Sequence, residues 1–124
     1  MALILLIEDS SYMRSVIRSL LNSDGYEILE AENGVKGLQM IHERSPDCLI
    51  LDLIIPDMDG LKVLKALNDQ GSKIPVIVVT ADIQESVRKQ CLELGAKAFV
   101  NKPPKKEELR NIVRDILAIK QEAT

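Results

Sequence analysis

The sequence predicts an α/β domain: a mostly parallel, five-stranded sheet with helices on both faces. Three observations carry this. Short β-like apolar runs alternate with segments of helical period along the chain, the pattern of a sheet built through helical crossovers. Two runs, Leu3 to Ile7 and Cys48 to Leu51, are apolar at every position, as strands covered on both faces are. Both run directly into acids, Glu8-Asp9 and Asp52. A length of 124 residues suits one domain with one core, taken as residues 1–120 with a frayed tail over 121–124.

Each element has a local reason. After Asp9, residues Met13, Val16, Ile17, Leu20 and Leu21 recur at helical spacing, so an amphipathic helix follows and Gly25 stops it. Tyr26 to Ala31 is a more polar strand, which belongs near a sheet edge. Asn33-Gly34 reads as a turn. A helix then runs to about Arg44, burying Leu38 and Ile41, and Pro46 ends the connection. Cys48 to Leu51 is a central strand. Leu53-Ile54-Ile55-Pro56-Asp57-Met58-Asp59-Gly60 is a loop closed by Pro and Gly; the next helix carries Leu61, Leu64 and Leu67, with Gly71 beyond its end. Ile74 to Val79, the most β-branched segment, is a strand ending at Thr80. Asp82-Ile83-Gln84-Glu85 has the form of a capping box. The helix it opens sets Ile83, Val87, Cys91 and Leu94 on one face, and Gly95 caps its end. Ala98 to Asn101 is a short strand. Lys102-Pro103-Pro104 breaks the chain, and a last helix buries Leu109, Ile112, Val113, Ile116 and Leu117.

Composition narrows the classes. With 46% hydrophobic and 28% charged residues, the chain reads as a soluble globular protein. No apolar run approaches the ~20 residues that span a bilayer, and the N-terminus lacks the pattern of a signal peptide, so a cytoplasmic protein without membrane contact is expected. The formal net charge is −3 and the basic residues are scattered until Lys105-Lys106, which argues against a nucleic-acid surface. Cys48 and Cys91 lie in apolar patterns without metal spacing and read as buried, reduced thiols.

Chemistry and topology point to one place. Right-handed crossovers limit the arrangements available. Ligands of such sheets bind outside the carboxyl ends of the strands where the strand order reverses; in the flavodoxin-like order 2-1-3-4-5 that is between the first and third strands. These are the strands that end in Glu8-Asp9 and Asp52. Two carboxylates ~4 Å apart repel by roughly 4 kcal/mol at an effective dielectric of about 20. Three ionised together therefore need a counter-charge, or one must take a proton. Lys102, after the fifth strand, supplies one positive charge, and a divalent cation would supply two. The donors are all oxygens with no His or Cys near, which favours a hard cation such as Mg²⁺ (or Mn²⁺) over zinc. Mg²⁺ commonly bridges one or two carboxylates to a phosphate. A carboxylate can itself be the nucleophile, forming an acyl phosphate, while Thr80 offers a hydroxyl to a phosphoryl oxygen and Lys102 stabilises its charge.

These residues bring a family into view. Ile7-Glu8-Asp9-Ser10, the run Leu51-Asp52 through Gly60, Val79-Thr80-Ala81 and Lys102-Pro103 occur in order at strand ends, and in them the chain resembles the receiver domain of two-component response regulators over essentially its whole length. The resemblance implies that Asp52 is the phosphoacceptor. It implies that Glu8 and Asp9 hold Mg²⁺, one directly and the other through water, with the backbone carbonyl of Ile54 as a further ligand. Thr80, with Ala81 beside it, would bind the phosphoryl group and move on activation, Lys102 would pair with that group, and the bond from Lys102 to Pro103 would be cis. Phe99 occupies the aromatic switch position, where family members often carry Tyr. Ile54 and Asp82, two residues beyond Asp52 and Thr80, would tune phosphoryl lifetime. The phosphodonor would be a sensor histidine kinase or a phosphotransfer protein. The output would be a protein effector on the face of the fourth helix, fifth strand and fifth helix, without direct DNA binding, from a monomer or a phosphorylation-dependent dimer. Ser10-Ser11-Tyr12-Met13-Arg14 further resembles the first helix of chemotaxis-type receivers.

Blander readings hold elsewhere. Asp57 and Asp59 precede a helix and read as loop and cap residues; His42 reads as solvated and Tyr12 as a packing or surface residue. Two rival functions remain at this point: an interaction module of the same fold that works without phosphorylation, and a phosphohydrolase acting through an aspartyl phosphate. The intact set of Glu8, Asp9, Asp52, Thr80 and Lys102 argues against the first. A hydrolase would need extra loops to enclose a substrate, which argues against the second.

Overall fold

The computed structural model describes residues 1–82 and 84–122. Strands and helices alternate as β1 Leu3–Ile7, α1 Ser11–Leu21, β2 Glu27–Ala31, α2 Gly34–Arg44, β3 Cys48–Leu51, α3 Gly60–Asp69, β4 Val76–Thr80, α4 Glu85–Glu93, β5 Ala98–Asn101 and α5 Lys106–Glu122. All pairings are parallel, in the order β2-β1-β3-β4-β5. The expected doubly wound sheet is thus present, and the polar β2 is an edge strand as its composition implied.

The core is not one cluster but two, one on each face of the sheet. Successive strand residues point to opposite faces. Leu5, Ile7, Leu49, Leu51, Val76 and Val78 face one way and pack with Val63, Leu64 and Leu67 of α3 and Cys91 of α4. Ile4, Leu6, Cys48, Ile50, Ile77 and Val79 face the other way and meet Ile17 and Leu21 of α1 and Leu109, Val113 and Leu117 of α5. Continuous apolar runs follow directly, because β1, β3 and β4 are covered on both sides. Ile112 and Ile116 are only partly buried against the second cluster, short of the full burial expected.

Several element ends differ from the sequence reading. Asn33 is not in a turn: it caps α2, its side chain accepting from the Lys36 N–H at 2.8 Å, and Gly34 is already helical. The capping box at Asp82 does not form. Asp82 Oδ1 instead accepts from the Gln84 N–H at 3.0 Å, and α4 opens at Glu85, two residues later than the box implies, with Gln84 at its cap position and no side-chain cap bond. A carboxylate that closes a turn on its second neighbour competes with capping the third. Ile83, expected on the buried face of α4, lies outside the described residues. Between α1 and Gly25, which takes a left-handed φ of 76°, stands a short 3-10 turn, Asn22–Asp24. The α5 backbone remains helical to Glu122, two residues past the expected boundary; Ala123 and Thr124 of the expected tail lie outside the described residues.

Candidate functional site

The sheet ladder itself assembles the site. Beyond the last paired residues of β1 and β2, the Glu8 N–H still donates to the Ala31 carbonyl at 3.0 Å. On the other side, the Asp52 N–H donates to the Ile7 carbonyl at 3.0 Å. Glu8 and Asp52 therefore leave neighbouring strands in fixed register. Likewise the Lys102 N–H donates to the Thr80 carbonyl at 2.9 Å. One oxygen from each of Glu8, Asp9 and Asp52 lies within 4.8 Å of the others. Glu8 is 1% and Asp52 5% exposed, whereas Asp9 is exposed.

Lys102 closes this cluster. Its Nζ donates to Glu8 Oε1 at 2.6 Å and to Asp52 Oδ2 at 2.9 Å. Glu8 Oε2 accepts from the Ser10 N–H at 3.2 Å, and Asp52 Oδ1 from the Ile54 N–H at 3.3 Å. Burial raises the pKa of Glu8, and its bonds to Lys102 and Ser10 only partly offset that. Burial works against the Lys102 charge too, but the hydrogen bonds to Glu8 and Asp52 outweigh it and hold the ammonium above its usual range. The donor set suits a hard divalent cation: three carboxylates, one of them open to solvent, and no nitrogen or sulfur. Glu8, Asp9 and Asp52, with one oxygen of each within 4.8 Å of the others, are the residues that would hold such an ion.

The other predicted residues surround this centre without all touching it. Thr80 is fully buried at the end of β4, and its hydroxyl accepts from the Asp82 N–H at 3.3 Å. Ala81 and Pro103 are exposed, and the Lys102–Pro103 bond is cis. Phe99 is half-buried on β5, packed against the α3 and α4 side of the core. Ile54 turns an apolar side chain to solvent, 65% exposed. Asp59 caps α3, accepting from the Leu61 N–H at 2.9 Å, so its cap reading holds. His42 and Tyr12 are exposed.

At three positions the structure shows contacts that the sequence reading did not anticipate. Arg14, in the first turn of α1, donates from Nη1 to the carbonyls of Glu8 at 2.8 Å and Asp9 at 3.1 Å. Asp57 reaches across to α2, accepting from the Gly34 and Val35 N–H groups at 2.8 and 2.9 Å. These backbone donors, Val35 first, lower its pKa. Gly60 admits no side chain, because a Cβ there would meet Leu53 Cα at 2.5 Å and the Asp52 carbonyl oxygen at 2.6 Å. Only the Pro-Gly punctuation of the loop hinted at the last.

Residues 4–114 match the family described as "Response regulator receiver domain". The chain belongs to that family. Receivers of two-component systems are phosphoacceptor signalling domains rather than conventional enzymes; they bind Mg²⁺ at an acidic pocket and work with histidine kinases and effectors. This receiver is 37% identical over 114 residues to the response regulator MprA of Mycobacterium avium, covering 92% of this chain and 50% of the relative. It spans about half the length of the curated relatives it matches. Among solved structures it is similar to the signal receiver domain of a Vibrio parahaemolyticus protein described as a Luxo repressor, with 29% identity and a TM-score of 0.95 over 98% of this chain and 94% of that one. It is also similar to the chemotaxis protein CheY4 of Vibrio cholerae, with 25% identity and a TM-score of 0.85 over 94% and 98% of the two chains.

Proposed function

We propose that this receiver accepts a phosphoryl group on Asp52 from the phosphohistidine of a sensor kinase or phosphotransfer protein, and thereby changes a protein-binding face. One observation carries the reading: a buried Asp52 shares the Lys102 ammonium with Glu8 at hydrogen-bond distance, beside an exposed Asp9. In the transfer, an Asp52 carboxylate oxygen bonds to phosphorus as the bond from phosphorus to the donor imidazole nitrogen breaks. The imidazole leaves with that electron pair, and an acyl phosphate remains on Asp52. Glu8, Asp9, Asp52 and the Ile54 carbonyl would hold Mg²⁺ or Mn²⁺, which when bound offsets the negative charge of the phosphoryl oxygens. Lys102 pairs with the same oxygens, and Thr80 donates its hydroxyl to one of them, with Ala81 beside it. Hydrolysis of the acyl phosphate by water resets the domain, at a rate tuned by Ile54 and Asp82.

Output follows from the motion of Thr80. Drawing its hydroxyl towards Asp52 empties space that the Phe99 ring fills, biasing a two-state equilibrium. Phe99 lines a groove of about 360 Å³ with Glu85, Arg88, Asn101, Lys105 and Glu108, formed by α4, β5 and the start of α5. An effector protein would read this groove; the formal net charge of −3 disfavours a DNA backbone as its ligand. A phosphodonor kinase of this type acts in the cytoplasm, so that is the proposed location; among the described residues no helix is long and apolar enough to cross a membrane. A chemotaxis role rests on the Ser10–Arg14 opening and on the likeness to CheY4.

Incubation with acetyl phosphate and Mg²⁺, followed by intact mass and by size-exclusion chromatography, tests the reading. The wild type is expected to gain a single phosphoryl group, lost in Asp52→Asn and after chelation of the metal. Chromatography then separates a monomer from a phosphorylation-dependent dimer. No adduct on the wild type would favour a binding module that works without phosphorylation, and rapid turnover of many phosphate esters would favour a hydrolase.

A further inference from the structure

The acidic pair is held from behind by a contact that neither the motif nor the proposed chemistry uses. Arg14 Nη1 donates to the carbonyls of both Glu8 and Asp9, at 2.8 and 3.1 Å. Its Nε donates to Glu30 Oε1 on β2 at 3.2 Å, and the second Glu30 oxygen is bonded by Arg18. Glu30 therefore orients the guanidinium plane, and the guanidinium spans two consecutive peptide units at the point where β1 becomes the loop to α1. The Arg14 side chain is 18% exposed; its bond to the Glu8 carbonyl is partly buried, and its bond to the Asp9 carbonyl is open to solvent. Asp9 is exposed, and its carboxylate is placed by its own backbone rather than by packing.

We infer that Arg14 is a positioning residue for divalent-cation binding: through the two carbonyls it fixes the backbone from which the Glu8 and Asp9 carboxylates project, and Glu30 acts through it. The inference rests on the reading of Glu8 and Asp9 as cation ligands. Its sign separates it from electrostatics. A guanidinium beside the site repels a dication, so if charge were what mattered, removing it would tighten binding. Loss of the clamp instead frees the loop, and the ion must then order it, which weakens binding.

The test is Mn²⁺ affinity of the chain, from the electron paramagnetic resonance signal of free Mn²⁺, with metal-free melting measured alongside. Arg14→Met is expected to weaken Mn²⁺ binding about tenfold, the low end of what losing an outer partner of a metal ligand costs. Arg14→Lys, which keeps a single donor nitrogen but not the planar fork that also reaches Glu30, recovers part of that loss. Glu30→Gln weakens binding less than Arg14→Met and adds nothing in the Arg14→Met background, as it must if it works only through Arg14. Arg14→Met binding Mn²⁺ as tightly as wild type, or more tightly, overturns the inference, and so do additive losses in the double variant. If Arg14→Met does not fold, Arg14→Lys and Glu30→Gln carry the same comparison. Wild-type affinity in Asp9→Asn would overturn the cation site itself, and this inference with it.

Discussion

Lys102 supplies the counter-charge of the site. It compensates two buried carboxylates that otherwise share a site without a counter-charge. Lys102→Met is therefore expected to cost about 3 kcal/mol of metal-free stability at neutral pH, the low end of the penalty for an orphaned buried charge. The pH dependence has a definite sign. Burial raises the pKa of Glu8, so the folded state takes up that proton more readily than the unfolded chain does. As pH falls through this raised value, Glu8 becomes neutral and needs no counter-charge, and the gap between variant and wild type narrows. Urea denaturation of both proteins from neutral pH downward checks this; a gap that widens on acidification contradicts it. Ile54 makes a separate prediction. Its apolar, exposed side chain cannot orient an attacking water. Ile54→Asn is expected to speed decay of the phosphorylated form about fivefold, since one net hydrogen bond is worth about 1 kcal/mol. Decay followed by intact mass decides it, and an unchanged or slower variant sinks the idea.

At the scale of elements, the loop from Leu53 to Gly60 is where backbone geometry meets chemistry. The Gly60 N–H donates to the Leu53 carbonyl at 2.8 Å, folding the chain back on the residue after Asp52. Gly60→Ala would drive a methyl into backbone atoms, which cannot rotate aside as a side chain can. It is expected to cost about 1–3 kcal/mol, the usual penalty for overpacking, and to slow phosphorylation of Asp52 because the loop shifts with it. Urea unfolding and the adduct yield measure the two effects; a fully stable, fully reactive variant would refute the close approach. Helix starts show what local sequence reveals. Asp59 was readable as a cap because its partner, the Leu61 N–H, is two residues away. Asp57 serves α2 across a separation of 23 residues, which no local pattern announces. Asn33 was misread because Asn-Gly suits a turn and a helix cap equally well. At Asp82 the box residues are present, but the carboxylate closes a turn on the Gln84 N–H, and the helix takes Gln84 as its cap position instead.

For the whole molecule, the sheet divides the interior into two apolar layers that touch only through the strands. Ile7 on β1 and Ile77 on β4 face opposite layers and are separated by β3. Ile7→Val and Ile77→Val are each expected to cost about 0.5–1.5 kcal/mol. The double variant should match their sum within about 0.5 kcal/mol, because distant sites without shared partners add. A coupling well above that in equilibrium denaturation would show that the layers respond as one core.

By itself the sequence determined which segments are strands and helices, that the central strands are covered on both faces, and which acids stand at their ends. Hydrophobic period is a local property, and local geometry follows from it. The order 2-1-3-4-5 then brings Glu8, Asp9 and Asp52 together, so much of the candidate site was readable as well. Lys102 was readable as their counter-charge, but only the tertiary structure decided that its one ammonium is shared between Glu8 and Asp52, and that Arg14 grips the acidic pair while leaning on Glu30 of β2. Such contacts depend on strand register and on the reach of a single side chain, and neither leaves a period in the sequence.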